Sequence, residues 1–160
     1  MDPVAVNVGL GIAGAILALG LSAFGSALGT GAAGSAAVGA WKKCYAQGKP
    51  APFLLLSFVG APLTQTLYGV ILMSSMISRA TAPVAEGKPL VYGIAFLVIG
   101  LAAGLGIGSS AIMQGRCAAA AADAQAETGK GFTNYLSAIG IIETVAIFTM
   151  IFALIGIGKI

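Results

Sequence analysis

Histidine is absent from the 160 residues, cysteine occurs twice and tryptophan once, and charge is scarce: eight Lys or Arg and five Asp or Glu, 8% of the chain. A soluble domain carries about 25% charged residues, so this chain could not cover itself with polar surface. The lack of histidine removes imidazole proton relays and the commonest zinc ligand. Cys44 and Cys117 show neither paired nor metal-ligand spacing and read as small packing residues rather than a redox centre. The net charge of +3 is scattered, with no basic stripe to track a phosphate backbone, which excludes nucleic acid as a partner.

What is present is apolar: 58% hydrophobic residues and 24 glycines. Pro3 to Trp41 and Phe53 to Ser78 contain no charged residue, Leu90 to Ala122 contains only Arg116, and Phe132 to Gly158 contains only Glu143. Each run exceeds the ~20 residues needed to span a bilayer. The pattern predicts an all-α membrane protein of four transmembrane helices, over about 4–41, 53–79, 89–123 and 132–158. No basic residue precedes the first run, and it is too long for a secretory signal, so it is expected to remain part of the structure.

Three short polar segments, Lys42 to Pro52, Arg79 to Pro89 and Asp123 to Gly131, make sequential helices antiparallel neighbours. Lys42, Lys43 and Lys49 lie in the first and Lys130 in the third, against Arg79 and Lys88 in the second. The positive-inside rule then places loops 42–52 and 123–131 in the cytoplasm of a multi-pass cell-membrane protein, with both termini outside.

The chain also resembles itself. Ser26, Thr30 and Gly31 read against Ser110, Gln114 and Gly115 at an offset of 84, and Gln65-Thr66 against Glu143-Thr144 at an offset of 78. This predicts a duplicated helical hairpin, residues 1–80 and 81–160, with both copies passing the membrane in the same direction. First arms are dense in glycine (Gly25, Gly29, Gly31 and Gly34; Gly100, Gly104, Gly106 and Gly108), whereas second arms carry bulky residues such as Leu54, Phe58, Phe148 and Phe152. Small residues let helix backbones approach closely in lipid, so tightly packed inner helices wrapped by larger outer ones are expected.

Gly29 to Gly34 matches GxGxxG, but no strand precedes it and no acidic residue follows about 20 positions on, so it is a packing motif. Glu143 differs in kind, because an ionisable group inside an apolar helix is costly unless paired, neutralised or facing a cavity. Counted from loops one and three at ~1.5 Å per residue, Gln65, Glu143 and Gln114 lie about 20, 17 and 15 Å deep, within reach of one another. Ala61, Thr64, Gln65 and Tyr68 recur at spacings of three and four and share a helix face, and Pro62 beside them removes a backbone donor.

The Thr64 hydroxyl, the Gln65 and Gln114 amide oxygens, the Ala61 carbonyl and the Glu143 carboxylate form five oxygen ligands with one negative charge. That set neutralises a monovalent hard cation, while calcium or magnesium would leave excess charge in lipid. A proton would need only the carboxyl group, so the neutral ligands favour Na+ over the alternative, H+. Tyr68 could donate its phenolic hydrogen to Glu143, or serve as an interface or packing tyrosine. Arg116, two residues beyond Gln114, is expected to snorkel toward water or headgroups rather than gate an ion.

These features resemble the proteolipid rotor subunit of V-type rotary ATPases, the double-hairpin c or K subunit, in its bacterial sodium-translocating form. The most specific stretches are Pro62-Leu63-Thr64-Gln65-Thr66-Leu67-Tyr68-Gly69, Gln114-Gly115-Arg116 and Glu143-Thr144. The resemblance implies sodium ligands at the Ala61 carbonyl, Thr64, Gln65, Gln114 and Glu143, with Tyr68 hydrogen-bonding the carboxylate. It departs from the sodium form at Leu63, commonly glycine there, and at Arg116, commonly lysine, neither of which is a ligand. It further implies a homo-oligomeric ring of identical subunits in lipid, turned through a central-stalk subunit against a membrane stator subunit, with one ion per subunit and no catalysis by this chain itself. Two other readings are a small four-helix cation/proton antiporter, which the single Trp41 does little to support, and a purely structural membrane oligomer, which leaves Glu143 unexplained.

Overall fold

The computed structural model describes residues 2–85 and 92–160, so Lys88 and the expected helix start at about Pro89 lie outside the described residues. The chain is helical, with no strand among the described residues. Helix α1 spans Pro3–Ala46, α2 Leu55–Gly60, α3 Thr64–Ala85, α4 Gly93–Thr128 and α5 Phe132–Ile157. A 3₁₀ turn, Ala61–Leu63, joins α2 to α3. Because α2, the turn and α3 together make one span, four helices are long and apolar enough to cross a membrane.

The helices outrun their apolar segments. α1 continues through Lys42 and Lys43, and α4 through Asp123 and Glu127. The loop between α4 and α5 thereby shrinks to Gly129–Gly131, where Gly129 and Gly131 both take positive φ, at 66° and 90°. That left-handed backbone suits glycine, which has no Cβ to clash with the carbonyl, and it ends one helix and starts the next within three residues. The charged helix extensions lean on each other through Lys43 Nζ and Glu127 Oε1, 3.4 Å apart and exposed, a pair worth at most about 1 kcal/mol.

Antiparallel hairpins form as the short connections require. In the first, Gly34 on α1 faces Val59, Gly29 faces Pro62, and Ser22 lies against Gly69 on α3. In the second, Gly106 on α4 faces Thr149 on α5, and Gln114 faces Ile139. Between hairpins, α1 and α4 make the most extensive contact, and residue numbers rise together along it, so the two helices are parallel. Asn7 Oδ1 accepts from the Gly93 backbone N–H at 3.1 Å, Gly14 meets Gly100, Gly25 meets Gly108 and Gly29 meets Gly115.

The glycine-rich arms thus pack backbone on backbone. A Cβ built on Gly100 would fall on the Gly14 carbonyl, and one on Gly115 would fall on the Gly29 backbone. Neither helix can yield there by moving a side chain.

Two apolar cores result. One contains Ala15, Ala18, Leu72, Met76, Phe96 and Ile107; the other, toward the ends of α1 and α4, contains Ala33, Leu55, Phe58, Ala118 and Ile139. Between them runs a layer of polar side chains contributed by all four spans.

Candidate ion-binding site

The polar layer is built around the break in the second span. Pro62 is buried and has no N–H to continue the helical ladder, and the chain answers with the 3₁₀ turn, in which the Thr64 N–H reaches the Ala61 carbonyl. The Thr64 hydroxyl donates to the same carbonyl at 3.0 Å and lies 3.2 Å from Gln65 Oε1. Three oxygens, from Ala61, Thr64 and Gln65, are thereby collected within one turn of chain. Ligands held ~2.3 to 2.6 Å from a hard cation, at right angles to one another, sit about 3.3 to 3.7 Å apart, so these oxygens, at the hydrogen-bond separations of 3.0 and 3.2 Å, would spread slightly to share one.

Gln65 then crosses to the other hairpin. Its Nε2 donates to Gln114 Oε1 at 2.8 Å, and both side chains are wholly buried. Gln114 Nε2 lies 3.2 Å from the Ile139 carbonyl and 3.4 Å from Glu143 Oε2. The other carboxylate oxygen, Oε1, accepts from the Tyr68 hydroxyl at 2.6 Å, the short distance of a charge-assisted bond. Ala61, Thr64, Gln65, Tyr68, Gln114 and Glu143 therefore form one continuous network across α3, α4 and α5. The two amides each present one oxygen, and rotating an amide exchanges its oxygen for its nitrogen without moving the backbone, so the network can turn several oxygens toward a shared centre.

Glu143 and Tyr68 are half-buried, and both lie at the α3–α5 seam on the outside of the helix bundle. The carboxylate is shielded by its own protomer from the inner side and open on the outer one. Removing the phenolic hydroxyl leaves the carboxylate without its shortest contact, and a hydrogen bond to a charged group contributes about 1.5 to 3 kcal/mol. If the network holds a cation, Tyr68→Phe is expected to raise the cation concentration that half-protects Glu143 from carbodiimide by roughly tenfold or more, with migration on a mild detergent gel unchanged.

Arg116 lies apart from this network. Two residues on from Gln114 turns it about 200° around α4. It is exposed on that side, and among the described residues its one hydrogen-bond contact is Met113 Sδ at 3.9 Å. Cys44 is buried, Cys117 half-buried, and both are free thiols.

One supporting group went unrecognised as such in the sequence. Ser110 donates to the Ile142 carbonyl at 2.9 Å, fixing α5 one residue before Glu143. Its position four residues before Gln114, on the same helix face, was the available signal. Ser26 and Thr30, the counterparts of Ser110 and Gln114 in the first hairpin, have buried hydroxyls with no hydrogen-bond partner among the described residues, so the repeat in sequence is not repeated in bonding there.

No curated protein matches the chain in sequence. Residues 97–156, less than half of the chain but including Ser110, Gln114 and Glu143, match the family model of the ATP synthase C subunit, and in this second hairpin the chain is similar to that family.

Proposed function

We propose that this chain is the membrane rotor subunit of a V-type rotary ATPase, non-catalytic in itself, which assembles with identical copies into a ring and carries one sodium ion per subunit on Glu143. The observation that carries this reading is the single network in which the Glu143 carboxylate joins Gln114 and, through it in series, Gln65, Thr64 and the Ala61 carbonyl, inside helices long and apolar enough to cross a membrane. The match of the second hairpin to the ATP synthase C subunit family supports the rotor and the ion-translocating role. The four neutral oxygens support a metal cation over a proton, because a proton bound to the carboxyl group has no use for them.

In this mechanism the ion is cargo. Bound, it makes the site neutral, and a neutral site can pass through lipid where a bare carboxylate could not. Glu143 supplies the countercharge, Tyr68 holds one carboxylate oxygen, and Gln114 turns its oxygen from the Gln65 amide nitrogen toward the ion, joining the Gln65 oxygen already beside Thr64. A positive charge on the stator subunit, brought against the open outer side of Glu143, competes for the carboxylate and releases the ion. Torque arrives through the central-stalk subunit, with loops 42–52 and 123–131 facing the cytoplasm.

Carbodiimide labelling of Glu143 in purified rings tests the choice of ion, since the reagent attacks a protonated, accessible carboxyl. Millimolar sodium is expected to slow labelling at fixed pH, and potassium is not. Labelling governed by pH alone would assign the site to a proton and leave Thr64, Gln65 and Gln114 as packing groups.

A further inference from the structure

In each hairpin a serine of the glycine-rich helix stands level with one of the two residues that the internal repeat pairs, Gln65 and Glu143. Along α1 and the second span, Ser22 meets Gly69 and Gly29 meets Pro62, seven residues on in one helix and seven back in the other. Ser26, four on from Ser22 and on the same face, is therefore level with Gln65, four back from Gly69. In the second hairpin Gln114 meets the Ile139 carbonyl, which sets Ser110 level with Glu143 by the same count. Ser110 donates to the Ile142 carbonyl at 2.9 Å. Ser26 is 2% exposed, and its hydroxyl has no partner among the described residues. A buried hydroxyl left unpaired is destabilising, so one standing beside Gln65 points to a partner in another state of the site.

Loading an ion creates the need for it. Gln65 Nε2 donates to Gln114 Oε1 at 2.8 Å, and both side chains are wholly buried. When the Gln114 oxygen turns to a cation, Nε2 loses its acceptor where solvent does not reach, and the cation repels its N–H groups from the same centre. The amide is planar, with oxygen and nitrogen on opposite sides of Cδ, and its terminal torsion is broad. The turn that brings Oε1 to the ion therefore swings Nε2 away from it. Ser26 Oγ is the side-chain polar atom that α1 presents at this level. Ser22, one turn earlier, donates to the Ala18 carbonyl at 2.7 Å. The same back-bond from Ser26 to the Ser22 carbonyl leaves its lone pairs open to an incoming N–H.

Resting on the sodium reading above, we infer that Ser26 is a positioning residue of the ion site, whose hydroxyl accepts from Gln65 Nε2 when a cation is bound. The site then has two arrangements that each satisfy the Gln65 amide, one closed through Gln114 and one opened around an ion through Ser26. Ser26 does not touch the ion. A proton on Glu143 leaves the two glutamines bonded to each other and makes no demand on Ser26, so the serine favours loading by a metal cation over protonation.

Carbodiimide labelling of Glu143 in purified rings separates the two loads. Ser26→Ala is expected to raise the sodium concentration that half-protects Glu143 by roughly five- to tenfold, while the pH dependence of labelling without sodium is unchanged. Thr30→Val removes the unpartnered hydroxyl one turn further on, level with Ala61, and is expected to change neither. Equal losses of sodium protection from the two variants, or a pH dependence displaced along with it, would make Ser26 a packing residue and overturn the inference. The structure of the sodium-loaded ring tests it without substitution: Gln65 Nε2 is expected about 3 Å from Ser26 Oγ, and its retention on Gln114 overturns the inference. If sodium fails to protect Glu143 in the unsubstituted ring, the sodium reading falls and takes this one with it. Protection that Ser26→Ala leaves untouched counts against Ser26 alone.

Discussion

Replacing Glu143 by glutamine is expected to abolish ion transport by the assembled complex while leaving the ring intact. The substitution keeps the shape and can still accept from the Tyr68 hydroxyl, which donates to Glu143 Oε1 at 2.6 Å, so the seam between α3 and α5 retains its partner. What is lost is the only negative charge at this level of the helices among the described residues. An uncompensated charge at the centre of a helix in the bilayer costs about 2.5 to 3.5 kcal/mol on insertion scales, or roughly a hundredfold or more in occupancy. In the proposed rotor, cation uptake into proteoliposomes should therefore fall by roughly a hundredfold, with ring mobility on a mild detergent gel unchanged. Transport within a few-fold of the parent would remove Glu143 from the centre of the mechanism and reopen the purely structural reading of the network. Glu143→Asp keeps the charge but withdraws it by one methylene, and is expected to lie between the two.

The second large effect concerns assembly. Gly100→Val is expected to yield no recoverable ring, because a Cβ there would coincide with the backbone carbonyl of Gly14. Overpacking against flexible side chains costs about 1–3 kcal/mol, but here the obstacle is main chain on main chain along two long helices, and α1 must move away from α4 over several turns. Gly156→Val is the control, since nothing lies within 4 Å of the position its Cβ would occupy. The measurement is the yield of oligomer from membranes in mild detergent. Equal yields from the two variants would show that the contact between α1 and α4 is not what holds the protomer together.

The four spans were legible because charge is nearly absent from them, and the order of helices followed from short connections. The face shared by Ala61, Thr64, Gln65 and Tyr68 was legible for a geometric reason: helical periodicity survives a 3₁₀ turn of three residues almost in register. Glu143 announced itself as a carboxylate where none is cheap. Other features depend on how two hairpins meet, which one-dimensional periodicity does not encode. Gln65 could have faced Ser26 and Thr30 in its own hairpin, as the internal repeat suggests, yet it bonds to Gln114. Helix ends were misjudged in one direction, at Lys42 and Asp123, because hydropathy marks where lipid ends and hydrogen bonding decides where the helix does.

The unequal thickness of the two helix pairs has a mechanical consequence. With α1 and α4 in backbone contact and α3 and α5 carrying bulky side chains, the protomer is a wedge, narrow along its glycine-rich edge. Copies of a wedge placed side by side close into a circle whose membership is set by the taper, much as the angle of a voussoir sets the number of stones in an arch. In the proposed ring, each copy delivers one ion per revolution, so the taper fixes the gear ratio between ions moved and ATP consumed. Glycines such as Gly20 and Gly31, which have open space around them in the single protomer, lie where a neighbouring copy could press. A methyl group added there would alter the taper, and with it the exchange rate between chemical and electrochemical energy, without touching a single ligand of the ion.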